Sequence, residues 1–139
     1  MKVFTTYIAV TTRGNTDIID ITAEVRTQLQ NYNLKEGQVT IFVPGSTGGL
    51  TTMEFEPNLA KDMKRAFEEI APEHIEYAHH MTWGDYNGHS HIRASLLGPS
   101  LTVPFKEKKL TLGTWQQMVF IDFDTSSRNR KLVMQIIGI

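Results

Sequence analysis

The sequence predicts an α+β fold of curved antiparallel β-sheets packed as a sandwich with two helices. Three observations lead there. Short runs rich in β-branched and aromatic residues are separated by turn-forming residues. Two longer stretches carry apolar residues at helical spacing. The elements also lack the alternating strand–helix–strand rhythm of a parallel sheet. The 139 residues fit one domain spanning 1–139, with 40% hydrophobic and 21% charged residues.

In order, Val3 to Thr12 predicts a strand and Arg13-Gly14-Asn15 a turn. A helix opens at Asp20-Ile21-Thr22, capped by Asp20 or Thr22, with Ile21, Val25 and Leu29 on its buried face. Asn31, Asn33 and Gly37 end it. Gln38 to Pro44 is a second strand, alternating through Val39, Ile41 and Val43, and Gly45–Gly49 is a loop. Leu50 to Phe55 is a third strand. Pro57 suits the first turn of a second helix, Asn58 to Ile70, which Ala71-Pro72 stops. After the histidine-rich stretch Tyr77–Ser100, His91 to Leu97 is expected as a strand, followed by a turn at Gly98-Pro99 and a strand over Leu101 to Phe105. Glu107-Lys108-Lys109 turns the chain. Leu110 to Asp122 continues as a strand interrupted at Gly113, and Lys131 to Ile139 closes the fold after a turn at Thr125–Arg130.

Several function classes recede on composition. A net charge of −1 offers no basic face, so no nucleic-acid partner is expected. The chain has no cysteine, which removes disulfides, thiolate ligands and a thiol nucleophile, and is compatible with the cytoplasm. No apolar run approaches a membrane span, so no membrane partner is expected. The first ten residues alternate like a strand and lack a signal-peptide cleavage site.

Four of the five histidines fall between Tyr77 and Ser100: His79, His80, His89 and His91. On a strand, residues two apart share a face, so His89, His91, Arg93 and Ser95 would form one polar row backed by Ile92, Ala94 and Leu96. Two imidazoles on one face suit a shared zinc ion; the plain alternative is a solvated edge strand. Only one of the neighbours His79 and His80 can join that row, and residue order does not choose between them. Asp85 in Trp83–Gly88 is either a ligand or general base, or a turn former. The loop Gly45-Ser46-Thr47-Gly48-Gly49 can hold an anion on backbone N–H groups and two hydroxyls, or is a flexible hairpin. Arg93 is a phosphate fork or a surface ion pair. Gln116 is a hydrogen-bonding group at a site or subunit contact, and Trp115 is expected in the core. Arg128-Asn129-Arg130-Lys131 is expected as a solvated hairpin tip.

On these segments the chain resembles the YjbQ family. The matching runs are Gly45–Thr52 (G-S-T-G-G-L-T-T), Tyr77–His79, Thr82–Asp85 (T-W-G-D), Asn87–Pro104, Leu110–Gln117 (L-T-L-G-T-W-Q-Q) and Val133–Gly138. The resemblance implies an α+β fold and a homotrimer. It also implies a site near subunit boundaries in which His79, Asp85, His89 and His91 serve metal binding or catalysis. Some relatives carry thiamine phosphate synthase activity, joining a pyrimidine diphosphate to a thiazole phosphate. Many relatives have histidine where this chain has Ser46, and His80 is not a position carried over.

The expected function is therefore an enzyme acting on a small phosphorylated molecule. His79, Asp85, His89 and His91 are its catalytic candidates, with Ser46, Thr47, Arg93, Ser95 and Gln116 to bind substrate. His79, His89 and His91 are the candidate ligands of a divalent metal, zinc or magnesium; magnesium's preference for oxygen ligands sits badly with imidazoles. The alternatives are a metal-dependent hydrolase of another substrate, and a non-catalytic trimeric ligand-binding protein.

Overall fold

A computed structural model describes residues 1–139. Strand β1 (Lys2–Thr12) pairs along its whole length with the last strand, β8 (Arg128–Gly138), from Lys2 opposite Gly138 to Thr12 opposite Arg128. β3 (Glu36–Phe42) lies on the other side of β8 and then pairs with β5 (Ser100–Lys106), whose end is extended by the two-residue β6 (Lys109–Leu110). The order is β1-β8-β3-β5-β6, antiparallel throughout. Inward residues alternate as the period of two requires: Ile8, Val10 and Thr12 on β1, Val39 and Ile41 on β3, Leu132, Met134 and Ile136 on β8. Gly37 sits where β3 crosses β8, and a Cβ there would lie 2.0 Å from the carbonyl oxygen of Ile137, so only glycine fits the register.

A second, three-stranded antiparallel sheet runs β2 (Asp17–Asp20), β7 (Gln117–Asp122) and β4 (Gly48–Met53). β7 is its centre and is buried from Met118 onward, on one face against the large sheet and on the other against helices. This explains its near-continuous apolar run. The main core holds 17 buried residues between the sheets and helix α1 (Thr22–Gln30). A smaller cluster joins Val119, Ile121 and Phe123 to Phe67 of α2 (Pro57–Ile70) and Ala94 of α3 (Gly88–Leu97). The Glu56 side chain caps α2 by accepting from the N–H groups of Asn58 and Leu59, and Pro57 opens it as expected.

The expected α+β class of curled antiparallel sheets holds, with five local departures. There are three α-helices rather than two, because the segment expected as a strand from His91 is the last two-thirds of α3. Its buried positions, Ser90, Ala94 and partly buried Leu97, follow helical spacing; its only β-branched residue, Ile92, is exposed. The strand expected over Leu110–Asp122 is two strands in different sheets, because the chain leaves the large sheet after Leu110 and re-enters the small one at Gln117. Trp115, in that crossing, is 73% exposed rather than in the core. The short strand β2 was not anticipated, and Asp20 acts just before α1 by accepting from the N–H of Thr22 rather than as its cap residue.

Candidate active site

Helix α3 divides the histidine stretch. Successive residues turn by about 100° in a helix, so His89 and His91 face roughly opposite directions. His89 is 1% exposed and packs inward with Ser90, Arg93 and Ala94, while His91 is half-buried and Ser95, one turn on, is exposed beside it. The expected polar row therefore does not exist as a row. The inner side chains are fastened to the scaffold: Ser90 Oγ donates to the carbonyl of Phe123. Arg93 donates through Nε and Nη2 to the carbonyl of Ala71, through Nη1 to Thr16 Oγ1 at 3.0 Å, and through Nη2 to the Glu68 carboxylate at 2.6 Å. With its fork committed, Arg93 is a structural tie between α3, α2 and the β1–β2 turn, not a free phosphate ligand. Burial, then the Arg93 charge, pushes the His89 imidazole below its ordinary pKa, which keeps it neutral.

His91 and Ser95 line a cleft of about 360 Å³ whose opposite wall is Gly45, Ser46 and Gly48. Just beyond this wall, a Cβ on Gly49 would meet Leu97 Cδ2 at 2.7 Å and Cβ at 3.0 Å, so a larger residue there would force the Leu97 side chain to shift. The N–H groups of Gly45, Ser46 and Thr47 make no hydrogen bond within the protein. Three consecutive free donors, two of them on residues that line the cleft, lie beside an imidazole and two exposed hydroxyls, Ser46 and Ser95, an arrangement suited to an anion. His79, from the 3-10 turn Ala78–Met81, stacks on His91 with ring centroids 4.5 Å apart and planes tilted by 44°. His79 Nδ1 is buried and has no partner in the protein.

Thr47 turns away from the cleft. Its hydroxyl donates to Asp124 at 3.1 Å and accepts from Arg130 Nη2 at 2.8 Å, while its carbonyl accepts from the N–H of Phe123. Arg130 is also forked onto Asp122, which is fully buried and receives a further bond from Thr12 at 2.6 Å. Burial alone would raise the Asp122 carboxyl, but the bonds from Arg130, Thr12 and the Asp124 N–H outweigh it and hold it below the usual carboxylate range. Asp124 is likewise held down against its burial by the Thr125 N–H, Thr47 and Arg128. This buried ion network underlies the Gly45–Gly48 loop. Of the run expected as a solvated hairpin tip, Arg128, Asn129 and Lys131 are exposed as expected, but Arg130 is drawn inward onto Asp122, and the run opens β8 rather than forming a tip. Part of the signal lies in the sequence: Asp122 interrupts the apolar run Val119–Phe123 and Asp124 ends it, and a carboxylate buried in such a run needs hydrogen-bonding or cationic partners, though which ones the run does not say.

The remaining candidates separate. Asp85 is exposed and lines a different cavity together with His80, not the His91 cleft. Gln116 is exposed, with its amide nitrogen donating to Thr52 and its carbonyl oxygen accepting from the Gly113 N–H; it borders a groove between β4 and β5. His79, His89 and His91 do not gather as a three-ligand set, because His89 faces the other side of α3, and no three His, Asp or Glu side chains converge within the chain. His79 and His91, adjacent and with a buried unpartnered nitrogen on His79, fit two positions in the coordination shell of a transition ion.

Comparison with known proteins agrees over nearly the whole chain. The family model described as UPF0047 protein YjbQ-like matches residues 6–139. A UPF0047 protein of Methanothermobacter thermautotrophicus is 33% identical over 138 residues, covering 99% of this chain and 94% of its own. The UPF0047 protein YugU of Bacillus subtilis is 34% identical over 132 residues, covering 94% of this chain and 97% of its own. Among solved structures, a YbjQ-like protein of unknown function from Sulfolobus solfataricus superposes with a TM-score of 0.93 at 30% identity, covering 99% of both chains. The glycine-loop cleft, the α3 histidines and the double-sheet scaffold are thus those of a chain that belongs to the YjbQ family.

Proposed function

We propose that the protein is an enzyme acting on a small phosphorylated molecule in the cleft between the Gly45–Gly48 loop and α3. The observation that carries this reading is the run of three unpartnered N–H groups at Gly45, Ser46 and Thr47, the first two on residues in the wall opposite His91 and Ser95. Fixed backbone donors in a walled cleft neutralise phosphoryl charge without reorganising. The reaction that the family resemblance offers is thiamine phosphate synthesis. There the thiazole nitrogen forms a bond to the pyrimidine methylene as the carbon–oxygen bond to diphosphate breaks, and the bonding electrons leave with the diphosphate. In this cleft the loop N–H groups and the Ser46 and Ser95 hydroxyls would bind the departing diphosphate, and His91, held by His79, would supply a proton to it. His79 and His91 are also the residues that would hold a divalent transition ion, zinc rather than magnesium, which would add charge neutralisation at the same oxygens. The test is to mix protein, both precursors and metal: thiamine phosphate should form with wild-type protein and fall about 100-fold with His91→Ala. A metal-replete sample that yields no product would rule out the assignment.

The hydrolase reading draws on the His79–His91 contact alone, which offers two imidazoles to a metal-bound water. It requires stoichiometric transition metal in the purified protein, lost in His91→Ala. Assembly as a homotrimer, for catalysis or for ligand binding, is supported by large apolar side chains left on the surface of one chain, among them Trp83, Leu96 and Trp115 at 63%, 63% and 73% exposure. Light scattering should return three times 15.8 kDa. A cytoplasmic setting accords with the absence of cysteine.

A further inference from the structure

The two inward-facing arginines are not equally committed. Every nitrogen of Arg93 donates to the protein. Arg130 holds one nitrogen back. Its Nε donates to one Asp122 oxygen at 2.9 Å, and its Nη2 donates to the other at 2.9 Å and to Thr47 Oγ1 at 2.8 Å. Nη1 makes no hydrogen bond within the protein. A guanidinium is a rigid plane of five N–H donors, so fixing three of them fixes where the other two point. The side chain is only 14% exposed, which leaves it little freedom to swing away. Nor is Nη1 sealed in: the buried side-chain atoms left without a partner belong to His79, His80, Asn87 and His89, none to Arg130. Nη1 opens against the Gly45 end of the glycine loop. It lies 3.2 Å from the place where a Cβ on Gly45 would stand, the one contact that such a Cβ would make outside the loop. The Gly45 backbone is not in the left-handed region, so its conformation does not call for glycine. What the missing side chain leaves is an opening beside Nη1, on a residue that lines the cleft and carries a free N–H. Arg130 itself is not in the cleft wall; Gly45 is the link between them.

We propose that Arg130 is a phosphate-binding residue: an oxygen of a phosphoryl group held on the loop N–H groups reaches Nη1 past the bare Cα of Gly45. The inference rests on the reading of the cleft as an anion site. It adds a permanently charged ligand to a set otherwise made of backbone N–H groups, hydroxyls and imidazoles, and a charge-assisted bond is roughly twice as strong as a neutral one. The carboxylates behind the loop do not oppose the anion with net charge, because Asp122 is matched by Arg130 and Asp124 by Arg128. The fork on Asp122 then has two effects. It ties β8 to the small sheet, and it holds Nη1 in place before any ligand arrives.

Replacing Arg130 would strip buried Asp122 of its fork and confuse binding with folding. Gly45→Ala avoids this, because its methyl group fills the opening and meets none of the bonded atoms of the network. The experiment is an NMR titration of the full chain with inorganic pyrophosphate, following the guanidinium nitrogen signals of Arg130 together with the backbone amides of Ser46 and Thr47. Saturable shifts at all three residues with one midpoint are expected. In Gly45→Ala the affinity should fall about 10-fold, the loss of one charge-assisted bond. At saturation the Arg130 signals of the variant should stay still while the Ser46 and Thr47 amides move. Wild-type Arg130 signals that stay still while those amides shift would overturn the proposal and leave the anion reading of the loop standing. Undiminished affinity of Gly45→Ala would do the same. No shift at Ser46 and Thr47 in the wild type would remove the anion reading, and the role of Arg130 with it.

Discussion

The two sides of α3 use the same kinds of residue for opposite ends. The inner side spends a histidine, a serine and an arginine on holding the helix to Phe123, Ala71, Thr16 and Glu68. The outer side leaves a histidine and a serine facing a cleft with free backbone donors across from them. Residue type therefore does not mark function here; the register on the helix does. His89 and His91 are chemically identical and two residues apart, yet one is buried and kept neutral while the other faces the site.

The largest expected effect that separates the two sides is on stability. Arg93→Met strips every tie from Arg93 and leaves the Ala71 carbonyl and Thr16 hydroxyl short of donors, which should cost about 3 kcal/mol in urea unfolding. A loss below about 1 kcal/mol would mean that the inner side is not structural. Next comes Thr47→Val, which keeps the shape of a buried side chain but removes the hydroxyl between Asp124 and Arg130. It should cost about 2 kcal/mol and weaken pyrophosphate binding, and Thr47→Ser should restore most of both. If pyrophosphate affinity is untouched, the ion network is not the foundation of the loop.

A smaller effect comes from pH. Because the folded His89 imidazole has a lowered pKa, the unfolded chain binds the proton more readily. Stability is full above the ordinary imidazole value of about 6.5 and falls as pH drops below it, down to the folded value. One proton sets the slope at no more than about 1.4 kcal/mol per pH unit. His89→Gln should flatten that segment of the stability curve, and a curve unchanged by the variant would contradict a buried neutral His89. The carboxylates Asp122 and Asp124, also lowered, contribute stability that is present above about pH 4 and is lost further into acid. The smallest expected effect on stability is that of His91→Ala, within about 0.5 kcal/mol, on the side where the loss of turnover should be greatest.

Much of the scaffold is legible in the sequence, and the site is legible in part. β1, β3, β8, α1 and α2 announce themselves by alternation, stripe and caps, because each has one buried face. α3 does not, since helix and strand patterns coincide over so short a run: Ile92, Ala94 and Leu96 alternate, while Ser90, Ala94 and Leu97 step helically. The helical set includes a serine, which hydropathy counts as polar. Once α3 is taken for a strand, His89 and Arg93 are necessarily assigned to the wrong face. Loop composition points to Ser46, the family resemblance to His79 and His91, and a strand alternation that does not exist to His91 and Ser95; the structure nevertheless brings all four to or beside one cleft, because His91 and Ser95 lie one turn apart on α3. Asp122 and Arg130 escaped notice because their pairing spans two strands of different sheets, a relation that local sequence does not display.

The central claim is that the phosphate-bearing group sits on the Gly45–Thr47 donors opposite His91. The direct measurement is an amide NMR titration with pyrophosphate. Saturable shifts concentrated at Gly45, Ser46, Thr47 and His91 are predicted, about 10-fold weaker in affinity with Ser46→Pro, which removes one of the three donors. Shifts centred elsewhere, or none at those amides, would contradict the account.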